Sequence, residues 1–173
     1  GDNKAFAAAR TLLDLNPEII VEAIDTKAES TNYSDLLSGF DLVFEGGESA
    51  EERRSFNYWA VENDYNYIHA SAQYNYAYVL SVIPGVSACF ECLFRDLPRS
   101  HGGPVPVVGS ITGVAGSVAA SEAIGILLGM PPSLSESMFF FDGWTNSSMR
   151  LANNRDENCT VCGGKVAGTV RSA

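Results

Sequence analysis

The chain has 173 residues, enough for one domain with a sizeable core, and its 46% hydrophobic and 18% charged residues are a globular composition. A formal net charge of −10, with Arg53-Arg54 the only adjacent basic pair, argues against a nucleic-acid partner. Residues 1–10 hold no apolar run of the secretory type, so a cytoplasmic protein is expected.

Residues 4–15 predict an amphipathic helix with Phe6, Ala9 and Leu13 on one face and Asn16-Pro17 as its stop. Residues 19–24 are a short apolar run of strand type, 34–40 a short helix, and Asp41-Leu42-Val43-Phe44 a buried strand. Gly46-Gly47 marks a turn. Ser49-Ala50-Glu51-Glu52 is a capping box, in which serine and glutamate each satisfy an amide the helix leaves open. A helix should run from there to about Asn63, followed by a strand over 67–72. Helix and strand thus alternate through the first seventy-odd residues, the signature of parallel strands joined by crossover helices.

The pattern then changes. Residues 74–83, 138–141 and 148–152 read as strands, and the turn-rich 142–146 makes the last two an antiparallel hairpin. The apolar stretch 105–130, with Gly109, Gly113 and Gly116, is the one segment to test for membrane insertion. Ser110, Thr112, Ser117, Ser121 and Glu122 interrupt it, so 107–129 is expected to be a tightly packed core helix with no membrane contact, stopped by Pro131-Pro132. Residues 97–106 read as a loop. The expected fold is α/β: a Rossmann-like mixed sheet with flanking helices and antiparallel C-terminal strands. It divides into a unit over 1–163 and a flexible tail over 164–173. No strand and no glycine-rich loop precede the first helix, so the chain reads as the second half of a nucleotide fold.

All four cysteines fall into two C-x-x-C pairs, Cys89-Phe90-Glu91-Cys92 and Cys159-Thr160-Val161-Cys162. Two such knuckles supply the four thiolates of tetrahedral zinc, and their wide separation makes the ion a staple between distant segments. Disulfides, a redox C-x-x-C and an iron–sulfur cluster are the alternatives. No secretory signal favours disulfides, and neither pair opens a helix after a strand as redox motifs do. With four thiolates no position is left for a catalytic water, so the expected Zn2+ is structural.

Several further segments fall in a characteristic order. They are Gly1-x-x-Lys4 with its helix ending in Leu15-Asn16-Pro17, the 41–44 strand with the acidic turn after it, and Arg53 and Asn57 on the next helix. Pro84-Gly85 leads into the first knuckle, Val108-Gly109-x-x-x-Gly113 opens the long helix, and Asp142-Gly143 precedes Cys159-x-x-Cys162-Gly163. Together they resemble the ThiF/MoeB/HesA family, prokaryotic relatives of ubiquitin-activating enzymes, from Gly1 to about Gly163. The resemblance implies ATP- and Mg2+-dependent adenylylation of the C-terminal carboxylate of a small ubiquitin-like protein or peptide. It implies that Lys4 contacts phosphates, that Glu48 holds Mg2+, and that Arg53 and Asn57 support the nucleotide pocket.

Read without the resemblance, Lys4 is an exposed helix lysine, and Arg53 and Arg54 beside Glu51 and Glu52 form a solvated face. His69 reads as a packed core residue rather than a base, His101 as solvated, and Asp142 equally as a site residue or a turn former. The chain departs from the family where Glu48 replaces the usual aspartate, and where residues 95–106 lack a cysteine. No thiol is therefore spare for a covalent intermediate. An unpaired parallel-sheet edge predicts a homodimer, or a complex with a complementary N-terminal half. ATP–pyrophosphate exchange by the chain alone is then expected to be undetectable. The competing reading is a non-catalytic, zinc-stabilised module that grips a partner's tail; a free-standing zinc scaffold would leave the strand-and-crossover half unexplained.

Overall fold

The structure, a computed structural model, describes residues 1–97 and 105–166. Helix α1 (Lys4–Leu15) starts at Asn3, whose side chain accepts from the amides of Ala5 and Phe6 at 2.9 and 3.3 Å. The short α2 (Tyr33–Leu37) precedes strand β1 (Val43–Glu45), and α3 (Ala50–Glu62) begins at the capping box read from the sequence, both halves of which form. Strands β2 (Tyr67–Gln73) and β3 (Tyr76–Val82), the short α4 (Phe90–Phe94) and the long α5 (Gly109–Leu127) follow. A hairpin of β4 (Ser137–Asp142) and β5 (Ser147–Ala152) completes the described elements.

The strands form one five-stranded sheet in sequence order, β1 to β5. Only β1 and β2 run parallel, joined across α3; every later pairing is antiparallel. The mixed sheet expected from the sequence is therefore present, with helices on both faces. Alternation along β2 and β3 splits the core in two. Tyr67, Leu80 and Val82 face α3 with Phe56, Trp59 and the cysteines; Ile68, Ala77 and Val79 face α5 with Ile111, Ala115 and Ala119.

Three expectations need correction. Residues 19–24 form no strand, and Ile20 is fully exposed. An extended run becomes a strand only with a neighbour to complete its ladder, and β1 stands at the sheet edge without one among the described residues. Helix α1 forms as expected, but Phe6 and Leu13 on its apolar face are 50% and 40% exposed and none of its residues is buried. Helix α5 is tightly packed on one face only: Ile111, Ala115, Ala119, Glu122 and Ala123 are buried, while Ile124, Leu127 and Leu128 are open. Its length and composition would let it cross a membrane. Its inward face nevertheless belongs to the core, since the Glu122 carboxylate accepts from Ser81, Ser133 and the Leu134 amide at 2.7–2.9 Å.

His101 and most of the 97–106 loop lie outside the described residues, as do residues 167–173. Just past the second knuckle, the Lys165 ammonium donates to the Glu62 carbonyl and to Asp64, at 3.0 and 3.1 Å.

Candidate functional site

The chemistry-bearing residues form two clusters along α3, one at the turn that opens it and one against its middle at Asn57. The first is built on the turn between β1 and α3. There, at the carboxyl end of a parallel strand, a cavity of about 310 Å³ opens between this turn and the 27–37 segment, lined by residues that include Lys27, Tyr33, Val43, Gly46, Gly47 and Glu48. Clefts at this end of parallel strands are where α/β folds bind ligands, because strand ends and helix starts converge there.

Lys4 reaches from the start of α1 to this rim and forms an ion pair with Glu48, which lies 44 positions later. Both side chains are solvent-exposed. The hydrogen bond and charge of Glu48 raise the Lys4 ammonium above its ordinary value, and Lys4 lowers the Glu48 carboxyl in the same way. Arg53 does not reach Glu48. Its Nε donates to the Gly47 carbonyl at 2.9 Å and its Nη1 to the Tyr78 hydroxyl at 3.3 Å, so it braces the turn from behind.

Glu45 and His69, which the sequence did not mark as a pair, lie directly beneath. Glu45 is 7% exposed and His69 fully buried, and His69 Nδ1 bonds the Glu45 carboxylate, whose other oxygen accepts the Gly47 amide at 2.6 Å. Burial pushes the Glu45 carboxyl up, but the hydrogen bond and charge of His69, the Gly47 amide and Arg53 outweigh it. The group ends below its ordinary value.

Asn57 sits elsewhere. It is 1% exposed and faces the second cluster: its Oδ1 accepts from the Tyr67 hydroxyl at 2.7 Å and the Phe90 amide at 3.0 Å, and its Nδ2 donates to Cys89 Sγ at 3.7 Å. It touches the cysteines, not the cavity. Arg54, one turn earlier, is mostly buried rather than part of a solvated face. It bonds Glu91 at 3.1 Å and donates to the carbonyls of Phe94, Arg95 and Leu97, so α4 is docked onto α3.

The second cluster is the four cysteines, all free thiols. Their sulfurs lie within 4.8 Å of one another. Cys89 stands 3.9 Å from Cys92 and 3.7 Å from Cys159, and Cys92 stands 3.3 Å from Cys162. A tetrahedral metal with M–S bonds of about 2.3 Å needs sulfurs about 3.8 Å apart, so the set fits a metal ion closed on all four sides. The hydrogen bond from Cys89 holds the Cys92 thiol down to about 4. Arg155 ties the two knuckles together, donating to the Gly85 carbonyl at 3.0 Å and to that of Cys162.

Gly163 is a requirement of this geometry. Its amide bonds the Cys159 carbonyl at 2.9 Å, and a Cβ there would overlap the Glu157 carbonyl oxygen and stand 2.6 Å from that of Cys159. Those obstacles are backbone and cannot swing aside. Gly163→Ala is therefore expected to open the second knuckle and lower metal content below about half an ion per chain, read by elemental analysis. A variant that retains its metal and melting temperature would contradict this.

The ThiF family profile matches residues 1–161, a span that takes in Lys4, the turn around Glu48 and the first cysteine pair. The vegetative HesA protein of Trichormus variabilis is 28% identical over 163 residues, covering 94% of this chain and 62% of that protein. The sulfur carrier protein ThiS adenylyltransferase of Escherichia coli is 30% identical over 171 residues, covering 96% of this chain and 67% of that one. Among solved structures, E. coli MccB with ATP superposes with a TM-score of 0.79 at 22% identity, over 94% of this chain and 51% of MccB. This chain thus spans about three fifths of the HesA protein's length and about half of MccB's. The family match runs along nearly the whole sequence and a relative 30% identical is covered over two thirds of its length, so the chain belongs to the ThiF family.

Proposed function

We propose that this chain supplies the metal-and-phosphate rim and a structural zinc site of an ATP-dependent adenylyltransferase, which activates the C-terminal carboxylate of a small ubiquitin-like protein or peptide. The observation that carries the reading is the meeting of Lys4 and Glu48 at the rim of the cavity beyond β1. In such a reaction the tail carboxylate is the nucleophile, the α-phosphorus of Mg-ATP the electrophile and pyrophosphate the leaving group. The protein's part is charge and position.

An ammonium suits the phosphates, and a carboxylate oxygen suits hard magnesium. Each therefore finds a stronger partner in Mg-ATP than the exposed one it has in the other, a pairing of the kind that adds little stability. Arg53 acts one step back, by holding the Gly47 carbonyl, and Asn57 acts through the cysteine knuckle. Zn2+ is the ion assigned to the four cysteines, since a closed all-thiolate set is its usual structural site. The edge of β1, with Phe44 55% exposed, and the uncovered faces of α1 and α5 are surfaces for a second copy or a complementary half of the fold. The protein is read as soluble and cytoplasmic.

Titration with Mg-AMPCPP tests the reading. Lys4→Ala and Glu48→Ala are each expected to weaken binding by roughly tenfold or more and to leave the melting temperature within about 2 °C, since neither side chain is buried. Equal binding by the native chain and both variants would sink the assignment. Failure of the native chain to bind nucleotide, with tight binding of a carrier-protein tail, would favour the non-catalytic binding module.

A further inference from the structure

The Glu45–His69 pair has a cost without an evident structural return. Glu45 and His69 are direct neighbours across the parallel ladder of β1 and β2. A carboxylate buried so deeply loses its hydration, and apolar residues of the same size would fill the space as well. His69 lies against the rings of Tyr78, Phe90 and Phe94, at 5.5, 5.1 and 6.3 Å between centroids, and its Nε2 has no hydrogen-bond partner. Its described polar contact is with one carboxylate.

That carboxylate in turn holds the turn. Glu45 accepts the Gly47 amide, Arg53 donates to the Gly47 carbonyl and to Tyr78, and Tyr78 rests on His69. The contacts close into a ring through Glu45, His69, Tyr78, Arg53 and Gly47, so both polar atoms of the Gly47 backbone are held from below. Gly46-Gly47 has no side chains with which to fix itself, and Glu48 is the next residue.

We propose that His69 is a positioning residue for the acidic turn: acting through Glu45, it fixes the Gly47 backbone and thereby the place of Glu48 at the cavity rim. The functional part of this rests on the reading of Glu48 as a magnesium ligand; the link from His69 to Gly47 does not.

Amide hydrogen exchange and Mg-AMPCPP titration on the 173-residue chain test both parts, with His69→Phe, His69→Gln and Glu45→Gln as variants. Phenylalanine keeps the aromatic packing and removes the donor. His69→Phe is expected to speed exchange at Gly47 about tenfold and to weaken nucleotide binding, with the amides of β3 and β4 unchanged. His69→Gln, which keeps an N–H donor, should recover most of both, which a purely packing role would not produce. Unchanged Gly47 exchange in His69→Phe overturns the proposal. If that variant does not fold, Glu45→Gln decides, because it preserves volume and weakens the acceptor; native exchange at Gly47 there also overturns it. Faster Gly47 exchange in His69→Phe, with no nucleotide bound even by the native chain, keeps the linkage and removes the magnesium reading alone.

Discussion

Chelating the metal is expected to lower the melting temperature by about 10 °C or more, and elemental analysis of the untreated protein should give about one zinc per chain. The size of the effect follows from where the site lies. Cys89, Cys159 and Cys162 are 1%, 6% and 1% exposed, and they belong to the same packed cluster as Phe56, Trp59, Tyr67 and Leu80. Without the ion, four thiols or thiolates remain crowded together inside that cluster. The second knuckle then keeps its backbone bonds, the hydrogen bonds of Arg155, the Arg95–Asp156 ion pair and the Lys165 tether, but loses the bonds that join the two knuckles directly through the ion. Damage should concentrate on the α3 face of the sheet. Amides on the α5 face, whose packing is a separate cluster, should lose protection later. A metal-free protein with an unchanged melting temperature, or one holding two disulfides, would refute the site.

Replacing Asn57 by Ala should have the next largest effect, about 3 kcal/mol or more by urea denaturation. The substitution strands the Tyr67 hydroxyl and the Phe90 amide, each buried and each bonded to Asn57 Oδ1. Burial pushes the Tyr67 hydroxyl well above its ordinary value, so it remains a donor at neutral pH and cannot adapt by ionising. The same change removes the donor to Cys89, and metal affinity should fall by about ten- to a hundredfold, as for other partners that support ligands from behind. Asn57→Asp separates the two effects. It keeps an acceptor for Tyr67 and Phe90 but brings negative charge to the thiolates, so its metal loss should exceed what its stability loss alone would cause. Native metal affinity in both variants would show that Asn57 serves packing alone.

The contrast between Asn57 and Glu45 shows how far a sequence can be read. Asn57 was visible as a residue, through the order of motifs around it, but its direction was not. Arg53 and Asn57 lie one turn apart on the same face of α3, yet Arg53 reaches back to the acidic turn and Asn57 bonds Cys89. Glu45 was not visible at all. It lies one residue beyond the expected strand, and the signal that could have found it is the parallel register that sets it opposite His69. Reading His69 as a core residue agreed with its burial, yet burial alone did not reveal its carboxylate partner.

Local rules acted where both partners lie within a few residues. The capping box at Ser49, the hairpin across residues 142–146, the helical span of α1 and the two C-x-x-C turns are set by near neighbours, and all were legible. Tertiary structure alone decided what depends on distant partners. It left 19–24 without a strand to pair with, covered α5 on one face only, brought Lys4 to Glu48 and closed Glu45 onto His69. The cysteines stand between the two cases. Each pair follows from its own spacing, but the meeting of the pairs depends on a sheet whose strands bring residues 70 positions apart into contact.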